Sequence, residues 1–162
     1  MQRTLILLKP DAIGRGLIGQ IIARFEAVGA KVVGLKILQA NEKQAMEHYT
    51  EDLAKRRGEQ VRKIMVEAIQ GGPIVVMVVA GVEIVEVARK LVGETEPKAA
   101  AAGTIRGDLS HVSFKYANDN KKPVYNLIHA SASEDEAEDE IKVWFNIREI
   151  LDYDTTSSEF TL

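Results

Sequence analysis

The chain contains no cysteine, which excludes a disulfide framework and any metal site built from thiolates. This absence also fits a reducing compartment, so the cytoplasm is the expected location. No run of about eighteen consecutive apolar residues occurs, and Arg3, Lys9 and Asp11 interrupt the short apolar stretch near the start. Neither a membrane-spanning segment nor a secretory signal peptide is therefore expected.

An excess of charge of either sign is also missing. The 21 Lys and Arg residues against 24 Asp and Glu residues give a formal net charge of -3 at pH 7. Such a balance provides no field for nonspecific binding of nucleic acid or of an acidic membrane. Any anion site must therefore be local, and neither nucleic acid nor membrane is an expected partner.

The length of 162 residues suits one domain, covering residues 1–162, with a sizeable core. Residues 110–125 mix aromatic side chains with a turn-rich polar stretch, which indicates an inserted hairpin or loop. The polar residues 155–162 are expected to form a loosely held C-terminal tail.

Four segments have the composition of β-strands: residues 4–8, 31–38, 74–79 and 126–130. The third is β-branched throughout apart from Met77, which is typical of a central strand buried on both faces. Helical periodicity connects the segments, over residues 17–28, over residues 42–70 in two pieces, over residues 82–92, and after a capping box that starts at Ser133.

This order predicts an α+β fold of the ferredoxin-like βαββαβ type. Its four-stranded antiparallel sheet would be covered by helices on one face, with an inserted loop before the last strand. A doubly wound parallel sheet is the less favoured alternative, because only four strands are predicted.

The segment Asn126-Leu127-Ile128-His129-Ala130-Ser131 is the most informative part of the chain, because it carries one of only three histidines. His129 is a candidate nucleophile whose imidazole could be aimed at a phosphate. Glu140 could supply the orienting carboxylate if the following helix packs back over the site. The alternative for a single histidine in an apolar stretch is ordinary packing.

Three cationic residues lie where a phosphate could reach them. Lys9 follows the first strand, Arg89 lies on the helix before a long loop, and Arg106 lies between Gly103 and Gly107. Flanking glycines let a backbone approach a ligand, and a guanidinium can hold a phosphate through two parallel hydrogen bonds. The alternative for each cation is a solvated surface position.

The pattern Gly14-Arg15-Gly16-Leu17-Ile18-Gly19 matches G-x-G-x-x-G, but a dinucleotide site is not expected from it. In such a site the glycines follow the strand directly and an acidic residue ends the next strand. Here residues 9–13 intervene, and the second strand ends at Leu38-Gln39. The phosphate-loop pattern G-x-x-x-x-G-K-[ST] is absent.

Six ordered blocks of sequence resemble the nucleoside diphosphate kinase family from about residue 3 to residue 153. They read T-L-I-L-L-K-P-D-A, R-G-L-I-G-Q-I-I-A-R-F-E, G-G-P-I-V-V-M-V, R-K-L-V-G-E-T-E-P, G-T-I-R-G-D, and N-L-I-H-A-S followed by A-E-D-E-I-K-V-W-F. The resemblance implies a ferredoxin-like fold and a homo-oligomer, either a hexamer or a tetramer. It also implies a Mg²⁺-dependent ping-pong cycle in which a histidine carries the γ-phosphoryl group from a nucleoside triphosphate to a diphosphate.

The same resemblance implies roles for five residues around the chemistry. His129 would be the phosphorylated residue, Glu140 would orient its ring, and Lys9 would hold the terminal phosphate. Tyr49 would support the surroundings of the histidine, and Ser131 would be its polar neighbour. Apart from the resemblance, the His48-Tyr49 pair is equally compatible with a helix face that carries a half-buried ring.

Further residues would hold the nucleotide. Arg89, Thr95 and Arg106 match phosphate ligands of the family, and Asn126 matches its contact with the sugar hydroxyls. Mg²⁺ would be held mainly by the phosphates of the nucleotide, with no protein residue predicted as a metal ligand.

Three departures from the family pattern bear on these implications. Ala132 stands where an aspartate is usual, which predicts altered stability or rate rather than lost chemistry. Val61 and Arg62 stand where two phenylalanines usually provide the base platform, so an aliphatic contact or a guanidinium contact would cover the base, with Val61 as the candidate base contact. The third is the longer stretch between Asp108 and Asn126, together with Ala102 in place of a proline. A nonenzymatic nucleotide-binding relative and a protein-directed histidine phosphotransferase stay open as alternatives.

One geometric question concerns Asn126 and His129. In a regular strand these two side chains would point to opposite faces, because side chains alternate. Both can reach one pocket only if the strand begins after Asn126 or carries a bulge.

Overall fold

The computed structural model describes residues 1–156 and 158–161. Four strands form one sheet: β1 (Gln2–Leu8), β2 (Lys31–Leu38), β3 (Ile74–Gly81) and β4 (Ile128–Ala130). They lie in the order β2-β3-β1-β4, and each neighbouring pair is antiparallel. The predicted four-stranded antiparallel sheet is thus confirmed, although β4 is two residues shorter than expected.

Helices connect and cover the strands within the described residues. They are α1 (Pro10–Gly14), α2 (Ile18–Glu26), α3 (Glu42–His48), α4 (Glu51–Arg57), α5 (Glu59–Gln70), α6 (Ile84–Val92), α7 (Ile105–Leu109), α8 (Phe114–Asp119), α9 (Glu134–Trp144) and α10 (Ser158–Thr161). Two short 3₁₀ turns cover Pro97–Ala99 and Ile147–Glu149.

Two helical predictions need correction in their boundaries. The expected helix over residues 17–28 is preceded by the separate short helix α1, and the chain turns between α1 and α2 at Gly16, whose φ is +68°. The region 42–70 holds three helices rather than two, because Gly58, at a φ of +92°, separates α4 from α5. These are backbone conformations that glycine adopts without steric cost.

Helices cover both faces of the sheet, so the expectation of one covered face was wrong. Ile6 and Leu8 of β1 belong to one buried cluster, whereas Leu5 and Leu7 belong to a second. Successive residues of β1 and β3 point to opposite faces of the sheet, and apolar side chains occur on both faces. Each face therefore needs a layer of helices. The first face is covered by α1, α2 and α6, and the second by α3, α5 and α9.

The stretch before β4 contains a helix, α8, rather than a hairpin. Ser113 caps this helix by accepting a hydrogen bond from the amide of Tyr116, and Ala117 of the helix is buried. The amide of Phe114 donates to Glu96 Oε1 at 2.7 Å. The extra stretch is therefore fastened to the loop that follows α6.

The segment after α9 runs along the edge strand β2. The amide of Leu151 donates to the carbonyl of Val33 at 2.8 Å, and the hydroxyl of Tyr153 donates to the carbonyl of Val32 at 2.9 Å. Lys31, only 2% exposed, donates from Nζ to the carbonyl of Tyr153 at 2.7 Å. Beyond this attachment, residues 158–161 form α10. Residues 157 and 162 lie outside the described residues, so a loose tail over 155–162 stays a prediction.

Replacing Lys31 with methionine should loosen this attachment. Methionine keeps the apolar stem but leaves the Tyr153 carbonyl without its charged donor, which we expect to lower the free energy of unfolding by about 1 to 2 kcal/mol. Denaturant titration would measure the loss, and amide exchange at Leu151 should become faster. Lys43→Met, at an exposed position, is the control, and equal losses in the two variants would contradict the attachment.

Among the described residues, no helix has both the length and the apolar composition that a bilayer crossing requires.

Candidate active site

One cleft of about 1070 Å³ brings together most of the residues predicted to act. It lies between the end of β1, the loop after α6, β4 and α9. Eight predicted site residues line it: Lys9, Tyr49, Arg89, Thr95, Arg106, Asn126, His129 and Glu140. Ser131 is fully buried behind the cleft, and Val61 is not among the lining residues.

His129 lies on β4 and is held through one of its two ring nitrogens. Nε2 is 2.8 Å from Oε1 and 2.9 Å from Oε2 of Glu140, a residue of α9. Because a carboxylate only accepts hydrogen bonds, Nε2 carries the ring proton when the imidazole is neutral. The lone pair is then on Nδ1, so Nδ1 is the nitrogen available for reaction.

The carboxylate of Glu140 is itself held from two sides. The hydroxyl of Ser131 donates to Oε2 at 2.7 Å, while Nδ1 of His48 is 3.4 Å from Oε1. Burial raises the pKa of Glu140, and the electrostatic influence of the neighbouring His48 ring and the Ser131 hydrogen bond oppose that rise. Ser131 thus contacts Glu140 rather than the ring of His129.

The surroundings of His129 favour the neutral imidazole. Burial lowers its pKa most, and the nearby charge of Lys9 lowers it further. Because the ordinary pKa of histidine is close to neutrality, a lowered value leaves the ring unprotonated at pH 7. An unprotonated ring is the nucleophilic form.

A strained turn at Leu127 brings Asn126 and His129 to the same cleft. Leu127 has a φ of +70°, and the amide of Ile128 donates to the carbonyl of Asn126 at 2.8 Å, which closes a three-residue γ-turn. The Leu127 amide donates to Asp11 Oδ2 at 3.0 Å. The strand therefore begins after Asn126, and the alternation rule does not apply between the two side chains.

Lys9 points into the cleft and contacts Asn126. Its Nζ donates to Asn126 Oδ1 at 2.7 Å, and Asn126 Nδ2 donates to the carbonyl of Thr95 at 2.9 Å. Burial lowers the pKa of Lys9 to about 8, with a further lowering by the charge of Arg106 and an opposing effect of Asp11. The charge state of Lys9 is therefore sensitive to pH in the mildly alkaline range.

Arg106 is buried, with 8% of its surface exposed, so a solvated position is excluded for it. Its guanidinium donates to three backbone carbonyls: Gly93 at 2.9 Å, Asn126 at 3.2 Å and Ile128 at 2.6 Å. Of the five N–H groups of a guanidinium, two remain for a phosphate. Arg106 thus ties the loop after α6 to the strained turn before β4.

Glycine is required at position 107 for a different reason from the ligand approach inferred from the sequence. A Cβ at this position would overlap the carbonyl oxygen of Ala101. The glycine lets the backbone of α7 approach the preceding loop rather than a ligand.

Comparison with known proteins identifies the family of this chain. The model of the nucleoside diphosphate kinase family matches residues 2–150. A nucleoside diphosphate kinase of Borreliella burgdorferi is 49% identical over 154 residues, covering 94% of this chain and 92% of the relative.

The chain belongs to the nucleoside diphosphate kinase family. The protein is therefore an enzyme of the phosphotransferase class.

Solved structures of the family show the same fold. A Borrelia burgdorferi nucleoside-diphosphate kinase, a transition state mimic with bound vanadate and ADP, superposes with a TM-score of 0.94 at 48% identity, covering 96% of this chain and 94% of the other. A halophilic enzyme from Halobacterium salinarum in complex with CDP gives a TM-score of 0.83 at 37% identity, covering 98% and 96%.

The nucleoside diphosphate kinase pattern aligned Val61 with the base platform, but the structure does not bring Val61 to the cleft. It is 36% exposed on α5. Leu53 and Arg56 of α4 and Met65 of α5 line that side instead, because α4 stands at the cleft wall. Arg62 donates from Nε to the carbonyl of Tyr49 at 2.7 Å and is thus engaged with the backbone.

The sequence alone did not assign a contact to two contributors to this site. Asp11 holds the amide of the strained turn, and His48 contacts Glu140 from the side opposite Ser131. Asp11 lies two residues after Lys9, and His48 directly precedes Tyr49. The available signal was that both residues lie next to predicted site residues in the sequence. The residues that they contact, Leu127 and Glu140, are more than 90 residues away in the chain.

The pKa of Lys9 predicts how nucleotide affinity depends on pH. With a pKa of about 8 in the free protein, Lys9 loses its charge above pH 8. If the bound phosphate keeps it charged, affinity for ADP should be about tenfold weaker at pH 9 than at pH 7. Calorimetric titration across this range would measure the change. Lys9→Gln should bind weakly with a flat profile, and an equally steep profile in this variant would assign the effect to another group.

Proposed function

We propose that the protein transfers the γ-phosphoryl group of a nucleoside triphosphate to a nucleoside diphosphate by a ping-pong mechanism through a phosphohistidine at His129. The observation that carries the proposal is the pairing of His129 Nε2 with Glu140, which leaves Nδ1 as the free nitrogen of a neutral ring at the cleft. Lys9 and Arg106 lie at the same cleft, where they would meet the charge of the phosphates.

The chemical step requires little beyond alignment and charge neutralisation. The lone pair of His129 Nδ1 attacks the γ-phosphorus, and the bond from that phosphorus to the β–γ bridging oxygen breaks. The electron pair of this bond leaves with the nucleoside diphosphate, and the ring proton stays on Nε2. Glu140 stabilises the positive charge that the phosphorylated ring acquires. A second diphosphate then reverses the step.

The remaining lining residues would bind the nucleotide. Arg89 and Thr95 are exposed to the cleft, so both are free to meet phosphate oxygens. Asn126 uses one N–H of its amide on the Thr95 carbonyl and keeps the other for a sugar hydroxyl.

The described part of the chain provides no group of residues that by itself suits Mg²⁺. Within residues 1–156 and 158–161, one close group of three potential ligands occurs, namely His48, His129 and Glu140. Mg²⁺ prefers oxygen ligands, whereas this group has two imidazoles and a carboxylate that already accepts hydrogen bonds. We therefore propose that Mg²⁺ is held mainly by the phosphates of the nucleotide. Held there, the ion would neutralise part of the charge of the phosphates during transfer.

A two-step labelling experiment tests the proposal. The protein is incubated with γ-labelled ATP and Mg²⁺, freed of nucleotide, and then given CDP or GDP. We expect an acid-labile phosphoprotein that passes its label to the second nucleotide, and no labelling when EDTA removes the metal. A protein that binds nucleotides but retains no label would be a relative without transferase activity. Because solved relatives hold ADP and CDP, we expect several bases to be accepted.

We also propose a homo-oligomer, either a hexamer or a tetramer, located in the cytoplasm, where nucleoside triphosphates are used. The apolar side chains of Leu35 and Ile37 on the edge strand β2 are more than half exposed, which supports self-association along this edge. Light scattering would distinguish a hexamer from a tetramer, and a monomer would contradict the proposal.

A further inference from the structure

His48 is a buried histidine that the phosphoryl-transfer mechanism does not use. It ends α3, and its side chain has no exposed surface. Its ring packs edge to face against that of His129, with centroids 4.6 Å apart, and against the indole of Trp144 at 5.7 Å. The ring is thus enclosed between the nucleophile and the second core cluster.

The position of His48 completes the set of contacts around the Glu140 carboxylate. Ser131 donates to Oε2, the Nδ1 atom of His48 faces Oε1 at 3.4 Å, and His129 Nε2 lies within 2.9 Å of both oxygens. Ser131 alone would fix only one oxygen. A second donor on Oε1 prevents the carboxylate from rotating about its terminal bond.

Whether His48 can be that donor depends on its tautomer. Burial lowers its pKa, and the neighbouring His129 lowers it further, so the ring is neutral and has one N–H. The indole N–H of Trp144, 3.4 Å from the same Nδ1, competes with Glu140. Nδ1 either accepts from the indole or donates to the carboxylate.

The charge of Glu140 decides between the two tautomers, because each of them leaves one buried N–H without a partner. Among the described residues, Nε2 of His48 is a buried atom that has no hydrogen-bond partner. A proton on Nε2 would therefore be an unpaired buried donor, and the lone pair of Nδ1 would then face the carboxylate. With the proton on Nδ1, the indole N–H of Trp144 and the lone pair of Nε2 are unpaired instead, but the ring then offers the anionic carboxylate of Glu140 an N–H donor rather than a repelling lone pair.

We propose that His48 is a positioning residue, whose Nδ1–H donates to Oε1 of Glu140 and thereby keeps the carboxylate aligned on Nε2 of His129. The inference rests on the proposed phosphorylation of His129. Through Glu140, His48 sets the direction in which the nucleophilic Nδ1 of His129 points. It does not touch the nucleotide.

A matched pair of amide variants tests this role. The amide nitrogen of asparagine occupies about the place of the imidazole Nδ1, whereas that of glutamine occupies about the place of Nε2. We expect His48→Phe and His48→Gln to slow phosphorylation of His129 at saturating ATP by about tenfold to hundredfold. Asparagine should restore part of that loss. ATP affinity should stay within about twofold in all three variants, because His48 lies behind the nucleophile.

A second measurement uses the unaltered protein and does not depend on activity. The chain has only three histidines, so ¹⁵N spectra of histidine-labelled protein can be assigned with His111→Phe and His129→Asn variants. We expect His48 to show a protonated Nδ1 and an unprotonated Nε2 between pH 6 and 8. A proton on Nε2 would overturn the proposal, as would a folded His48→Phe variant that is phosphorylated at the rate of the unaltered protein.

The two proposals fail in different ways. If the unaltered protein takes no label at His129, the phosphohistidine mechanism is wrong whatever the tautomer of His48. If it is labelled but asparagine and glutamine at position 48 behave alike, only the positioning role is wrong. His111→Phe, at an exposed position, serves as the kinetic control and should leave the rate unchanged.

Discussion

Replacing His129 with asparagine is expected to lower phosphoryl transfer by about 10⁴-fold or more. The amide nitrogen of asparagine has no available lone pair, so the variant offers no nucleophile to the γ-phosphorus. The remaining cations can still bind the triphosphate, but they cannot substitute for the covalent step. Glu140 keeps its hydrogen bond from Ser131, so the loss should not come from a collapsed site.

The labelling experiment gives the measurement. The His129→Asn variant should retain no label from γ-labelled ATP, while its affinity for ADP stays within about threefold of that of the unaltered protein. His111→Asn is a suitable control because His111 lies outside the cleft. Label retained by the His129 variant, or transfer at an undiminished rate, would show that another residue carries the phosphoryl group.

Replacing Arg106 with methionine should damage both stability and activity. The substitution leaves the carbonyls of Gly93, Asn126 and Ile128 without the donor that now joins them, in a site that solvent barely reaches. We expect the free energy of unfolding to fall by about 3 kcal/mol, and transfer to fall by about 10³-fold. Lysine should restore little, because a single ammonium cannot reach three carbonyls in the geometry of a guanidinium.

Arg89 provides the matched comparison for Arg106. It lines the same cleft but is exposed on α6, so Arg89→Met should weaken nucleotide binding while changing stability by only about 0.5 kcal/mol. Denaturant unfolding and steady-state kinetics on both variants measure the two effects separately. Equal stability of the two variants would mean that the three carbonyl contacts of Arg106 do not hold the turn before β4.

Local composition was sufficient for much of the fold. The span of β2 was predicted to the residue, and β3 was correctly identified as a strand buried on both faces. The second covered face was missed, although Leu5 and Leu7 already alternate with Ile6 and Leu8 in the sequence. A strand that is apolar throughout needs two layers of helices, and periodicity within the helices does not show which layer each joins.

At the site, the residue types were readable from the sequence but several contacts were not. His129 and Glu140 were predicted as a pair because they are only eleven residues apart and joined by one helix. Val61 was assigned to the cleft by alignment alone, and the wall formed by α4 showed that this position lies outside it. The contact between His48 and Glu140 joins residues far apart in the chain, so no local pattern predicts it.

The amino-acid sequence by itself determined the family, the strands, the candidate nucleophile and the cations around it, because these depend on residue type, short spacing and ordered motifs. Only the tertiary structure decided which nitrogen of His129 is free, how Asn126 reaches its cleft, and why Arg106 is buried. Those properties depend on hydrogen bonds between distant segments and on a positive φ at Leu127, a residue that rarely adopts one. Such a conformation persists only where the surrounding fold imposes it.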